Sequence, residues 1–346
     1  MKKLLIVGLG LIGGSLAKAS EGFFEVYALN RSQSAIEAAL REKTIRKGYC
    51  RCEEIDEAPD VICLCVPVDA MAPYAELLGS RFPGALFTDA GSTKGNVMKV
   101  MQGRRYVGTH PMAGSERSGY GAARRDLFLG ATFCVVPGCC EEGDPELMEA
   151  WIRHMGGRPL RIGVEEHDRA VAAISHLPHV IASALTRTAG ATAEALPQTR
   201  VMAAGGFLDI TRIAGSDPVM WRAIFTENAA AVLEQLETFE GALSHWREML
   251  QKQDTAAMGN EFCGTREIRA SFKRDNFGIF PEKGYTLRVR GSRQLAAELL
   301  LSEAGSCIAG MEFHGELLCL RCDSPAESSR LAQQLRLRGI AAEENS

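Results

Sequence analysis

Six short apolar runs punctuate the first half of the chain, at residues 3–7, 25–29, 61–66, 85–89, 106–110 and 132–136. The run at 61–66 is continuous rather than alternating, the pattern of a strand covered on both faces. Stretches with helical spacing, such as 34–43 and 145–155, lie between the runs. Strands alternating with helices predict a doubly wound, Rossmann-like α/β sheet over residues 1–163. The pattern then changes. Residues 164–252 hold no strand run and read as an all-α domain. Pro178 is expected to kink its first helix, and Gly205-Gly206 to break the next. Ser216-Asp217-Pro218 is a start signal, with Asp217 as N-cap and Pro218 at the first helical position. The helix that follows should run roughly 30 residues, about 45–50 Å. Its apolar residues, from Phe225 and Ala229 through Trp246 and Leu250, step by four and three. Such a seam needs a second long surface, so it predicts a homodimer built through this domain. A polar connection over 254–281 follows. The last segment, 283–346, reads β-α-β-β-α-β, with helices at 292–304 and 324–338: a small α+β ferredoxin-like module.

Composition narrows the partners. The chain has 346 residues, a formal net charge of -4 and no long run of Lys and Arg, which argues against nucleic acid. No apolar run approaches the ~20 residues needed to span a bilayer, so no membrane partner is expected. The apolar N-terminus breaks at once into glycines, as a strand does and an export signal does not. The 11 cysteines are an odd number without framework spacing. Cys63, Cys65 and Cys134 read as small buried residues of strands. Neither Cys50-Arg51-Cys52 nor Cys139-Cys140 has a second pair at zinc-site spacing, so no metal is expected. Reduced thiols suit a cytoplasmic protein.

Four stretches carry chemistry. Gly8-Leu9-Gly10-Leu11-Ile12-Gly13 sits between the first strand and the first helix, the context a dinucleotide fingerprint requires. Gly8 permits the tight turn, Gly10 admits a pyrophosphate, Gly13 lets helix and strand pack, and the helix N-terminus carrying Leu11 and Ile12 offers free N–H groups. The second strand ends in Asn30-Arg31-Ser32, where a ribose-binding carboxylate is usual. None is present. A cation beside a small hydroxyl suits a 2′-phosphate, favouring NADP over NAD; the alternative is a solvated Arg31, with Asn30 serving the NAD ribose. Val66-Pro67 ends the third strand where the cofactor should pass. His110 lies at another strand end, stopped by Pro111, where ligands of open α/β sheets bind.

Residues 89–94 (Asp-Ala-Gly-Ser-Thr-Lys), 108–119 (Gly-Thr-His-Pro-Met-Ala-Gly-Ser-Glu-Arg-Ser-Gly) and 206–218 resemble motifs of the prephenate dehydrogenase family, which includes arogenate and dual-specificity members. A fourth stretch, His167-Asp168 through Ser175-His176-Leu177-Pro178-His179, also matches. The resemblance covers roughly residues 3–250. It implies NAD(P)-dependent oxidative decarboxylation of prephenate to 4-hydroxyphenylpyruvate, a step of tyrosine biosynthesis. It makes His110 the proton acceptor, with Ser92 beside it and the nicotinamide. It gives Arg212 a substrate carboxylate; an ion pair with Asp209 is the structural alternative. It turns His179 to the substrate side chain and leaves His176 to packing. Ser115, Glu116 and Trp221 resemble residues that line or gate the pocket. Many relatives carry a regulatory ACT domain where the C-terminal module sits, which makes tyrosine a candidate feedback ligand. The turn Arg290-Gly291-Ser292-Arg293 lacks the usual effector pattern, so a degenerate ACT-like module is the competing reading. Rival readings are an arogenate dehydrogenase, a nucleotide-sensing regulator without activity, and a β-hydroxyacid or imine reductase. The last usually relies on a lysine in its helical domain, and residues 165–250 contain none.

Overall fold

The computed structural model describes residues 1–114, 117–272, 285–290, 295, 298–299, 308, 310–314, 317–322, 325–340 and 342–345. The predicted site residues Ser115 and Glu116, and most of the expected helix 292–304, lie outside the described residues.

Five parallel strands form the first sheet: β1 (Lys2–Val7), β2 (Phe24–Leu29), β3 (Lys47–Tyr49), β4 (Val61–Leu64) and β5 (Leu86–Asp89), in the order β3-β2-β1-β4-β5. Leu4 and Ile6 enter one core while Leu5 and Val7 enter another on the opposite face, each at most 1% exposed. This two-sided burial is why the strands read as unbroken apolar runs. The chain leaves β1 towards β2 and returns to β4 on its other side. The switch point of the sheet therefore lies at the carboxyl ends of β1 and β4.

The rest of this half departs from a uniformly wound sheet. β6 (Val107–Pro111), β7 (Thr132–Pro137) and β8 (Arg158–Arg161) form a three-stranded sheet in which β6 and β7 are antiparallel. A parallel bridge from Phe87 to Tyr106 carries β6 alongside β5. The sequence pattern misses β3 and β8. The first is three residues long at a sheet edge, and the second, Arg-Pro-Leu-Arg, is half exposed. Neither has an apolar run to show.

The following half is helical from α6 (Val164–Val171) to α12 (Thr255–Ser271). The kink expected at Pro178 is a π turn, Ala172–His176, leading into α7 (Leu177–Ala195), whose second residue is Pro178. Proline has no N–H for the residue four before it, so the preceding turn opens. Asp217 caps α10 (Pro218–Glu227) as expected, its Oδ1 accepting from Val219 and Met220 at 2.7 and 3.2 Å. The single helix of roughly 30 residues is two helices. Asn228, buried and non-helical, separates α10 from α11 (Ala229–Lys252). The stretch read as a polar connection holds α12, capped by the Asp254 side chain accepting from Ala257 N–H at 2.9 Å. Its apolar residues are too sparse to give a helical stripe: Phe262 and Ile268 are exposed in the single chain. No helix among the described residues is long and apolar enough to cross a membrane.

The C-terminal segment forms a four-stranded antiparallel sheet of β9 (Tyr285–Arg290), β10 (Gly310–His314), β11 (Leu317–Cys322) and β12 (Ala342–Asn345), in the order β10-β11-β9-β12. Helix Pro325–Leu337 covers one face, where Leu331 and Leu335 meet Leu287, Val289, Leu318 and Leu320.

Candidate active site

The glycine turn lies at the switch point. Gly8 has φ +102, and a Cβ there would meet the Cys65 carbonyl oxygen at 2.8 Å. A Cβ on Gly13 would lie 1.9 Å from the Gly8 carbonyl oxygen. Gly10 differs: a Cβ there meets nothing within 4 Å among the described residues. An open face over the N-terminus of α1 (Leu11–Ala19) fits a pyrophosphate, which the free N–H groups there would hold. Asn30 fastens this turn to the end of β2, its Oδ1 accepting from Leu9 N–H at 2.9 Å. Ser32 caps α2 (Gln33–Arg41), and Arg31 beside it is exposed. Val66 and Pro67 follow β4 directly. The predicted cofactor residues thus gather at the carboxyl ends of β1, β2 and β4.

A cavity of about 260 Å³ opens between the two halves, lined by Ser92, His110, Met112, His176, Trp221 and Ile224 among others. Beneath it lies a buried ion pair. Lys94 Nζ donates to Asp89 Oδ2 at 2.6 Å and to the Gly91 carbonyl at 2.7 Å, with both side chains wholly buried. Tyr106 donates to the other Asp89 oxygen at 2.6 Å, and Gly91 N–H to Oδ2 at 2.8 Å. Every oxygen of the carboxylate is engaged, which a buried charge requires. The cluster ties the loop carrying Ser92 to β5, and Thr109, next to His110, donates to the Asp89 carbonyl.

His110 belongs to a chain of hydrogen bonds that crosses into the helical half. Its Nδ1 lies 2.9 Å from His167 Nε2, and His167 Nδ1 lies 2.8 Å from Asp168 Oδ1. Asp168 also accepts from the backbone N–H of Lys94 and Gly95 at 2.9 and 2.8 Å. Burial opposes its ionisation, but His167 and these two N–H groups outweigh burial and hold the carboxyl below its usual range. An ionised Asp168 is a pure acceptor, so with a neutral His167 between it and His110 the tautomers follow. His167 donates from Nδ1, so its Nε2 accepts. His110 must then donate from Nδ1, which leaves a lone pair on its Nε2. Burial, with the charge of Lys94 adding to it, pushes the His110 pKa well below the usual value. The ring is therefore a neutral base.

On the helical side, Trp221 is sandwiched by histidines. His179 stacks on it with centroids 3.5 Å apart, and His176 meets it edge-on at 5.9 Å. His179 Nδ1 donates to the Ser175 carbonyl at 2.8 Å, which leaves Nε2 as an acceptor. Burial lowers its pKa, and the charge of Arg212 lowers it further against the opposing pull of that carbonyl. Arg212 is exposed at the end of α9 (Gly205–Thr211). The indole N–H of Trp221 is buried and has no hydrogen-bond partner among the described residues.

Ser92, His110 and Trp221 thus line one cavity, with His179 against Trp221 and Arg212 near His179. The motifs by themselves assign no role to His167, Asp168 or Lys94, although all three stand within them, and they leave His176 to packing. No group of three metal-ligating side chains occurs among the described residues.

Comparisons with known proteins point to one family. Residues 14–155 match the family model described as "Prephenate dehydrogenase, nucleotide-binding domain". Residues 163–262 match "Prephenate dehydrogenase, dimerization domain". A prephenate dehydrogenase of Lactococcus lactis subsp. cremoris is 31% identical over 310 residues, 84% of this chain and 85% of its own. A cyclohexadienyl dehydrogenase of Zymomonas mobilis is 31% identical over 289 residues, 80% of this chain and 97% of its own. The crystal structure of the A. aeolicus prephenate dehydrogenase with hydroxyphenyl propionate and NAD+ superposes with a TM-score of 0.71 at 30% identity, covering 79% of this chain and 99% of that one. A Synechocystis arogenate dehydrogenase gives 0.70 at 25% identity, covering 78% and 100%. The chain belongs to the prephenate dehydrogenase family of oxidoreductases.

Proposed function

We propose that this enzyme oxidises and decarboxylates prephenate to 4-hydroxyphenylpyruvate and CO2, with Ser92 and His110 at the reacting end of the substrate. The observation that carries the reading is the His110–His167–Asp168 chain, which leaves a lone pair on His110 Nε2 in the cavity that Ser92 also lines. A nicotinamide nucleotide held at the Gly8–Gly13 turn would supply the acceptor for the hydride that leaves the carbinol carbon. His110 Nε2 takes the hydroxyl proton, and the imidazolium that forms is balanced through His167 by Asp168. The ring ketone then draws the electron pair of the breaking C–CO2 bond onto its oxygen. That phenolate takes the proton back from His110, so the reaction releases no net proton and the histidine returns to its starting form. Aromatisation drives the loss of CO2, so no cation is needed at the departing carboxylate. Ser92 orients the hydroxyl.

Arg212 is assigned to the side-chain carboxylate, together with His179. The exposure of Arg212 in the single chain sets the scale. Arg212→Gln should raise KM for prephenate by roughly 10- to 100-fold, the loss of a charge-assisted hydrogen bond, with kcat and melting temperature little changed. An unchanged KM with a lowered melting temperature assigns Arg212 to the fold instead. One observation favours arogenate as a second substrate: His179 Nε2 is an acceptor that an ammonium group can use. The charge of Arg212 opposes it. Crossing prephenate and arogenate with NAD and NADP, and following reduced nicotinamide, tests the whole reading; no turnover of either substrate ends it.

NADP is proposed over NAD from Arg31, Ser32 and the N-terminus of α2. Arg31→Ala should weaken NADP by about 1.5–3 kcal/mol and leave NAD nearly unchanged. Equal losses in titration calorimetry refute the preference. The helical half is read as the surface of a homodimer, because Val201, Met202, Leu208 and Ile210 are all more than half exposed in one chain. The strand order of the C-terminal module is that of a β-α-β-β-α-β fold, which supports an ACT-like reading; tyrosine inhibition is its test.

A further inference from the structure

His176 is 1% exposed and yet lines the cavity. Its ring is fixed by two neighbours. Trp221 meets it at 83°, and Asn228 Nδ2 lies 3.2 Å from His176 Nδ1. The same Nδ2 donates to the Asp168 carbonyl at 2.8 Å. That carbonyl can only accept, so the amide nitrogen of Asn228 must face it. The second N–H of the same nitrogen then points to His176 Nδ1, which must accept. The proton of the neutral ring is thereby placed on Nε2, the ring nitrogen left for the cavity that His176 lines. Burial holds the ring neutral, with a pKa of about 4 despite the nearby Asp168 charge.

We infer that His176 is a substrate-binding residue whose Nε2–H donates to the ring carboxylate of prephenate, with Asn228 as the positioning residue that sets its tautomer. The inference rests on the proposed reaction and deepens it. The ring hydroxyl is taken up by His110 and the side-chain carboxylate by Arg212. The remaining anionic group is the one that leaves as CO2. A cation beside it would stabilise the charge that must be lost and so raise the barrier. A fixed, uncharged N–H orients the carboxylate without that cost. The break between α10 and α11 follows from the same arrangement, because Asn228 turns out of helical geometry there while its side chain serves Asp168 and His176.

Two polar replacements of similar size separate this role from packing. Gln at 176 can place an amide N–H where Nε2 stands, whereas Asn reaches only as far as Nδ1. In the full-length enzyme, His176→Asn should raise KM for prephenate by about 10-fold or more, the loss of a hydrogen bond to a charged group. His176→Gln should stay within a few-fold of the parent. The inhibition constant of 3-(4-hydroxyphenyl)propionate, which lacks the ring carboxylate, should be equal in all three proteins. Equilibrium binding of prephenate without nucleotide should repeat the KM order. Equal KM values in the Asn and Gln variants overturn the inference, and so does an inhibition constant that rises in parallel with KM. If the parent does not oxidise prephenate, the proposed reaction fails first and takes this inference with it; if it does, these comparisons bear on His176 alone.

Discussion

His110→Asn should lower kcat by about 10²- to 10⁴-fold, the usual contribution of a positioned general base. Nucleotide affinity should stay near that of the parent, because the glycine turn lies at the ends of β1 and β4 and His110 at the end of β6. The pH profile of the parent carries the sign. The acceptor is the neutral ring, so turnover falls as pH drops and the ring protonates. Burial and Lys94 depress the pKa of His110, so activity should persist below pH 6.5, where an ordinary histidine would already be half charged. The profile measured on kcat reports this group in the substrate complex. An Asn variant with near-parental turnover, or a parent whose activity rises towards acid, would remove His110 from the chemistry.

Gly13→Ala should abolish nucleotide retention and destabilise the fold, while Gly10→Ala should abolish retention alone. The two glycines are three residues apart in one turn, but their surroundings differ. A Cβ at Gly13 would lie 1.9 Å from the carbonyl oxygen of Gly8 and 2.9 Å from the Cys65 side chain. Backbone cannot yield as a flexible side chain can, so α1 must move off β1. Overpacking of this kind costs about 1–3 kcal/mol. A Cβ at Gly10 meets no atom of the described residues within 4 Å, so the apoprotein should melt as the parent does. Its methyl would instead fill the face that a pyrophosphate approaches. Melting curves with and without NAD(P), run on both variants, check the pair. Thermal stabilisation of the Gly10→Ala protein by nucleotide would contradict the assigned binding face.

Much of this site is legible in short stretches of sequence. The glycine turn depends on φ and on free space within a few consecutive residues, so its spacing is visible along the chain. The buried strands show because both faces of the sheet are covered, which imposes apolar residues at every position of 61–64. Asp217 and Pro218 mark the start of α10 because capping is also local. Ser92 and His110 are readable as members of motifs, though not as neighbours.

Local patterns fail where an element answers to distant groups. The expected long helix breaks at Asn228, a residue with no special helical penalty, because its side chain bonds to Asp168, 60 positions away. The apolar steps across 225–250 are the same whether the helix is whole or broken, so periodicity carries no sign of the break. Pro178 announces a distortion, but whether it becomes a kink or a π turn depends on what α6 and α7 pack against.

The sequence by itself therefore determined the nucleotide fold, the helical character of the second half and the choice of His110 as the proposed proton acceptor. Only the tertiary structure decided which nitrogen of His110 is free to accept. His167 lies 57 residues from His110, and the backbone N–H of Lys94 reaches Asp168 across 74. A tautomer is set by whichever donor or acceptor stands at the far side of the ring. That partner is brought there by the packing of α6 against the sheet, not by any spacing along the chain.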